Sequence, residues 1–427
     1  MTSGVTGQKL AVLGGPKAIT GEHADLFGWP IVTAEDEQAV LEVLRAGSMS
    51  GDDVTRKFEA EYAAYQGCEF TLSFCNGTAA LMAAMYGCGV RRGDEIIAPS
   101  LTYWATALPV FALGATVVFA EIEADSVCLD PKDIEHRITP RTKTIVPVHY
   151  CGHPADMDPI MTIARKHGLK VIEDVSHAHG ALYKGRMVGS IGDASAMSMM
   201  SGKSFATGEA GMLCTNDRVI YERALALGHY ERTDADLTLP ELTPFKGLPL
   251  GGYKHRVNQT CSAMGRVQLR HYPERMKAIQ DGMNYFWDGL EGVPGLHAHR
   301  PPKGSGSTMG GWYNPLSHYR PEELGGLPID KFIQAVNAEG GHSWRAANHP
   351  LHLHPVFNDA DIYGDGKPTR IAFSDRDLRQ GKGTLPVSEG LSERCLGIPW
   401  FKRCVPKEID EYIAAYKKVA LQASALK

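Results

Sequence analysis

The sequence predicts an α/β protein with a mainly parallel sheet and a smaller α+β unit after it, on three observations. From about residue 55 to 230, short apolar strand-like runs alternate with helical patterns, as βα units with helices on both faces of a sheet require. Past residue 289 the alternation stops and amphipathic helices over 329–338 and 407–423 take its place. No repeat or low-complexity tract interrupts the chain, whose 427 residues allow two domains. We expect a large domain over 1–275, with residues 1–50 partly as an arm, and a small C-terminal domain over 276–427.

The elements follow in order. Phe70-Thr-Leu-Ser-Phe74 precedes a helix over 78–88, and Glu95-Ile-Ile-Ala98 precedes one near 103–113. Thr116-Val-Val-Phe119 is a strand, and Thr144-Ile-Val-Pro-Val148 leads to a helix over 159–167 and a strand Lys170-Val-Ile-Glu173. Residues 193–198 and 210–215 add strands, and 217–227 another helix. The Pro- and Gly-bearing stretch 230–250 has no clear period and reads as a long ordered loop of the sort that shapes a site. A mostly helical stretch runs from about 260 to 289, and Gly304-Ser-Gly-Ser-Thr-Met-Gly-Gly reads as a flexible joint.

Composition narrows the function class. A chain 43% hydrophobic and 22% charged is ordinary for a globular enzyme, and a net charge of -5 argues against a nucleic-acid surface. The nine cysteines are scattered with no CxxC pair, and the start of the chain lacks a basic and then apolar leader, so we expect reduced thiols and a cytoplasmic protein. Residues 96–120 carry no charge over a length that could span a bilayer, but Pro99, Pro109 and Gly114 interrupt them. A buried strand, helix and strand fit better.

Chemistry concentrates at strand ends, where parallel α/β sheets bind ligands. Lys203 stands among small residues, Ser201-Gly202 before it and Ser204-Phe-Ala-Thr-Gly after it, which suits a tight buried turn. Upstream, Asp174 closes the run Lys170-Val-Ile-Glu-Asp. A lysine in such a turn can hold pyridoxal phosphate (PLP) as an imine, while an acid keeps the pyridine nitrogen protonated so that the ring can draw electrons. Cys75-Asn76-Gly77-Thr78 joins a strand to a helix, the arrangement a phosphate needs at a helix N-terminus, although many such turns are ordinary caps. Tyr103 could stack on a flat ring, His177 could donate to a phenolic oxygen, and Ser198 could add a hydroxyl to the phosphate. Taken singly, each has a plain structural reading. Their order is far more specific than any member.

These motifs resemble the sugar aminotransferases of the DegT–StrS family over nearly the whole chain, from about Gln38 to Val419. The matching stretches include Gly77-Thr78-Ala79-Ala80-Leu81, Gly93-Asp94-Glu95-Ile96-Ile97-Ala98-Pro99-Ser100 and Glu173-Asp174-Val175-Ser176-His177-Ala178-His179-Gly180. Lys203 with Thr207-Gly208-Glu209, and Gly252-Tyr253-Lys254-His255-Arg256, extend the match. The resemblance implies the PLP fold-type I architecture, with a mainly parallel seven-stranded sheet. It also implies Lys203 as the Schiff-base lysine, Asp174 as pyridinium partner, Tyr103 as the stacked ring, and Gly77, Thr78 and Ser198 as phosphate holders. A homodimer with shared active sites is implied too, the 252–256 segment reaching toward the neighbour's phosphate with Lys254 or Arg256. The chain departs from the family pattern in carrying His177 where members often have Gln, Ala210 where a second Gly is usual, and Lys254 where many have Asn.

The expected activity is therefore a ping-pong transamination, from glutamate or glutamine to a ketosugar or a keto-cyclitol of the inosose kind. The stretch Leu10-Ala-Val-Leu-Gly-Gly-Pro-Lys17 is similar to the cyclitol and aminobenzoate branches. An eliminating or aromatizing enzyme of the 3-amino-5-hydroxybenzoate synthase type is the nearest alternative, and a non-catalytic regulator on the same scaffold is a further one. The family's sugar dehydratases carry His at the lysine position, so Lys203 counts against that subtype. We expect no metal. His349-Pro-Leu-His352-Leu-His354 reads as pocket lining or plain structure, and Arg91-Arg92 and the 297–300 region as solvated surface.

Overall fold

The computed structural model describes residues 7–229, 232, 236–248 and 250–427. Seven strands form the main sheet: β1 (Phe70–Phe74), β2 (Glu95–Pro99), β3 (Thr116–Ala120), β4 (Thr142–Ile145), β5 (Lys170–Asp174), and two that follow a short hairpin. The hairpin is β6 (Leu182–Tyr183) with β7 (Arg186–Met187), and the last two sheet strands are β8 (Ala194–Ser198) and β9 (Gly211–Thr215). The order is β1-β9-β8-β5-β4-β2-β3. Only β9 runs against its neighbours.

Neighbouring residues of one strand feed two separate cores. On β2, Ile97 packs in the cluster with Ile145 and Val171, while Ile96 and Ala98 pack with Val117, Phe119 and Ile172 on the other face. A sheet covered on both sides needs such continuously apolar strands.

A third core forms the C-terminal lobe. Its antiparallel sheet has the order β10-β11-β13-β12, from β10 (Leu296–Ala298), β11 (Leu316–Tyr319), β12 (Trp344–Arg345) and β13 (Cys395–Gly397). The long helix Gln259–Gly289 links the cores: Leu269 and Tyr272 pack in the main one, Ile279, Met283 and Phe286 in the lobe. Leu10, Ile19 and Leu26 join the lobe's core, so the N-terminal strap lies on this lobe.

Several expectations change in detail. The helix expected over 103–113 splits into a 3-10 turn, Trp104–Thr106, and a short helix, Pro109–Ala112, since a proline ring cannot continue the preceding turn. The strand expected over 144–148 stops at Ile145, ahead of Pro147, whose carbonyl accepts Asp174 N–H at 2.9 Å. In the 230–250 loop, residues 230, 231, 233–235 and 249 lie outside the described residues, and the remainder holds a 3-10 turn at Thr243–Phe245. The stretch 304–311 is not a free joint. Gly185 N–H donates to Gly306 O at 2.8 Å, Thr308 pairs with Leu182, and Gly311 N–H reaches His179 O at 3.1 Å. Nor is 297–300 all surface, because His299 is fully buried and donates to Ser126 O at 2.8 Å. Among the described residues, no helix is long and apolar enough to cross a membrane.

Candidate active site

The carboxyl ends of β1, β2, β5 and β8 open into one cavity of 340 Å³. Gly77, Thr78 and Tyr103 line it from the segments after β1 and β2. Asp174, His177, Ser198 and Lys203 line it from those at and after β5 and β8. The sequence places each of these at a strand end; the sheet order brings them together.

The helix Gly77–Gly87 begins at the cavity, where Asn76 caps it by accepting Ala79 N–H at 2.9 Å. Its first N–H groups have no partner inside the helix, so they and the positive end of the helix favour an anion. The helix start abuts Ser198, leaving no room for a side chain at Gly77.

Lys203 is 8% exposed. Burial lowers its amine to a pKa of about 8, against the charge of Asp174, which raises it. Nζ lies 4.1 Å from the Tyr313 ring centroid. The main chain is fixed as well: Lys203 N–H donates to Met200 O at 2.8 Å, and Lys203 O accepts the Trp29 indole N–H at 2.7 Å.

Asp174 is aimed by two donors. Thr106 Oγ1 donates to Oδ2 at 2.8 Å and Ser176 N–H to Oδ1 at 3.1 Å. The preceding Glu173 faces away and anchors the loop after β7. Although complete burial would raise its pKa, His149 and the Gly189 and Gly192 N–H groups hold that carboxyl below the usual range.

His177 is buried, and burial drives its pKa well below the ordinary value. Its Nδ1 accepts Cys151 N–H at 3.3 Å. A neutral ring that accepts at Nδ1 carries its proton on Nε2, so His177 can present a donor, as a glutamine amide would. Tyr103 is 56% exposed at the cavity. Ala210 is absent from the residues with positive φ, so a methyl is tolerated where a second Gly is usual.

Two expected residues lie outside this cavity. Lys254 is exposed, and Arg256 Nη1 donates to Ser50 O at 3.2 Å. Their segment still packs on the phosphate turn, His255 O accepting Cys75 N–H at 2.7 Å. His352 is not pocket lining: it is fully buried, with Nδ1 2.6 Å from Ser100 Oγ and Nε2 3.1 Å from Glu389. Sequence reasoning missed Thr106, Cys151, Tyr313 and Trp29. Each acts through a contact far along the chain, and no local pattern marks it.

A buried amine titrating near neutrality, a carboxylate held at a fixed angle and a helix N-terminus match PLP's aldehyde, ring nitrogen and phosphate in chemical type. On a sheet of this order they define a PLP-dependent enzyme of fold-type I. More narrowly, the chain belongs to the DegT/DnrJ/EryC1/StrS aminotransferase family, whose model matches residues 30–417. It is 29% identical over 395 residues to the spore coat polysaccharide biosynthesis protein SpsC of Bacillus subtilis, spanning 92% of this chain and 96% of that one. It is 32% identical to the L-glutamine:2-deoxy-scyllo-inosose aminotransferase of Streptoalloteichus tenebrarius, over 86% of this chain and 88% of that one. The crystal structure of the aminotransferase from Psychrobacter cryohalolentis superposes with a TM-score of 0.80 at 28% identity, over 93% of this chain and 100% of that one.

Proposed function

We propose that the protein transfers an amino group from glutamate or glutamine to a ketosugar or keto-cyclitol, in two half-reactions sharing one site. The observation that carries this reading is the buried Lys203 amine in the same cavity as Asp174. The name of the Streptoalloteichus relative supports a cyclitol ketone as acceptor.

When bound, PLP supplies an electron-withdrawing ring beside the reacting amine. The chain's own groups do the rest. Lys203 Nζ would remove the proton from the donor's α-carbon and deliver it two bonds along, across the donor nitrogen. Asp174, aimed by Thr106 and Ser176, would keep a proton on the ring nitrogen. Gly77 and Thr78 N–H groups with the Ser198 hydroxyl would hold the phosphate, His177 Nε2–H would donate to the phenolic oxygen, and Tyr103 would cover one face of the ring. The second half-reaction runs the same proton transfers in reverse on the keto acceptor.

In this reading the protein is a cytoplasmic homodimer, and Lys254 or Arg256 reaches the neighbouring site's phosphate. The large domain ends at residue 275, inside the helix Gln259–Gly289, and the small domain begins at 276.

The decisive experiment loads the protein with pyridoxamine phosphate and follows the return of the visible band with a panel of ketosugars and inososes. Return with at least one of them is expected. Return only with simple 2-oxo acids overturns the sugar or cyclitol acceptor.

A further inference from the structure

We propose that Trp29 is a positioning residue for Lys203, and that the C-terminal lobe acts on the lysine through it. The inference rests on the reading of Lys203 given above.

Lys203 is held at both ends of its side chain by one aromatic circuit. At the main-chain end, Trp29 Nε1 donates to Lys203 O at 2.7 Å. At the amine end, the Tyr313 ring lies 4.1 Å from Nζ. The two rings are joined by Trp400, which lies 6.2 Å from Trp29 and meets Tyr313 edge-on at 5.7 Å. Trp400 is itself pinned, its indole N–H donating to Gly311 O at 3.1 Å. Behind it, the Lys402 amine lies against the Trp400 face and 5.6 Å from Trp29, while Lys402 N–H donates to Leu26 O at 2.7 Å.

Ahead of Trp29 the strap is fastened to the lobe; just after it, Gln268 of the long helix donates to Ile31 O at 3.1 Å. Glu339 accepts Ala11 N–H at 2.8 Å and Ala18 N–H at 3.0 Å, and pairs with Lys418 at 2.8 Å, both side chains fully buried. Further along, Glu411 accepts Thr20 N–H at 3.0 Å. The lobe's contacts ahead of Trp29 thus bear on the indole that holds the backbone of the reactive lysine.

The arrangement suits the chemistry. Proton transfer requires the amine in a narrow range of positions. Fixing Lys203 O anchors the main chain from which the side chain must reach.

The test uses the PLP-loaded protein and two substitutions, Trp29→Phe and Trp29→3-benzothienylalanine, the second keeping the bicyclic shape and lacking the N–H. The readouts are the pH midpoint of the visible band, and kcat against KM for the amino donor. Loosening the lysine's main chain should move the amine relative to Tyr313 and Asp174 and shift the midpoint by about 0.3 pH unit or more, a twofold change in the protonation constant. It should lower kcat about tenfold with KM within about twofold, as loss of an interaction used in the reacting state does. If Trp29→Phe does not fold, the benzothienyl protein decides. A midpoint and kcat equal to wild type in a folded variant overturn the proposal while the Lys203 reading stands. A wild-type protein that shows no visible band with PLP overturns both.

Discussion

Gly77 and Ser198 touch backbone to backbone: a Cβ on Gly77 would lie 2.7 Å from Ser198 Cβ, 2.8 Å from its Cα and 2.9 Å from its N. This contact clamps the start of the helix after β1 to the end of β8, and so sets the spacing of the proposed phosphate donors.

Gly77→Ala should therefore strain two rigid elements, with no flexible side chain to give way. Overpacking of this kind costs about 1–3 kcal/mol. We expect a loss of that size in denaturant unfolding and a PLP dissociation constant raised about tenfold or more, read by absorbance titration. Unchanged affinity would show that the Gly77–Ser198 spacing does not shape the phosphate site.

The Lys203 amine, lowered to about 8 by burial, should set the pH dependence of PLP capture by the cofactor-free protein. The neutral amine is the nucleophile, so the rate of band appearance should rise with pH through about 8 rather than continue to the value of a free lysine. Asp174 is the charge that raises this value. Asp174→Asn should move the midpoint below 8 while abolishing turnover, and an upward move would contradict the assignment.

His177→Gln should keep a donor toward the phenolic oxygen and hold kcat within about tenfold of wild type. His177→Phe removes the donor, and by the usual worth of one hydrogen bond should weaken PLP binding by about 1 kcal/mol. Equal PLP affinities in the two variants would mean that Nε2–H does not reach the cofactor.

Acid should weaken the junction where His299 meets His153 at 5.1 Å and His318 at 5.4 Å. Burial holds His299 well below 6.5, with the facing His153 and His318 lowering it further. Burial also takes His153 to about 4. Well above pH 6.5 all three are neutral folded or unfolded. As pH falls from about 6.5 toward 4, the unfolded chain binds protons that the native one refuses, so stability drops across that window. Among the described residues His299 Nδ1 has no hydrogen-bond partner, so His299→Phe loses one bond and removes one buried unpaired nitrogen. Denaturant midpoints at pH 7 and pH 5 should differ less in His299→Phe than in wild type; an equal difference would place the acid sensitivity elsewhere.

The strands of the main sheet were legible because each is a short apolar run ended by a turn residue or an acid, and burial on both faces demands that pattern. Asp174 and Ser198 could be placed at strand ends for the same reason. The stretch 304–311 misled because glycine and serine report backbone freedom in the unfolded chain. Its order comes from Leu182, Gly185 and His179, distant in sequence. Trp29 reads locally as an aromatic before a proline, and His299 as a polar residue in a basic stretch; their partners Lys203 and Ser126 lie 174 and 173 positions away.

By itself, the sequence determined the order of strands and helices, the strand-end positions of Asp174, Ser198 and Gly77, the tight turn that carries Lys203, and through them the family and its cofactor. Those are consequences of local periodicity and of residue type. The tertiary structure alone decided that Lys203 is held between Trp29 and Tyr313, that its amine titrates near 8, and that His177 keeps its proton on Nε2. Such properties arise from loss of water and from single partners brought in by the fold, and neither is written in any local stretch of the chain.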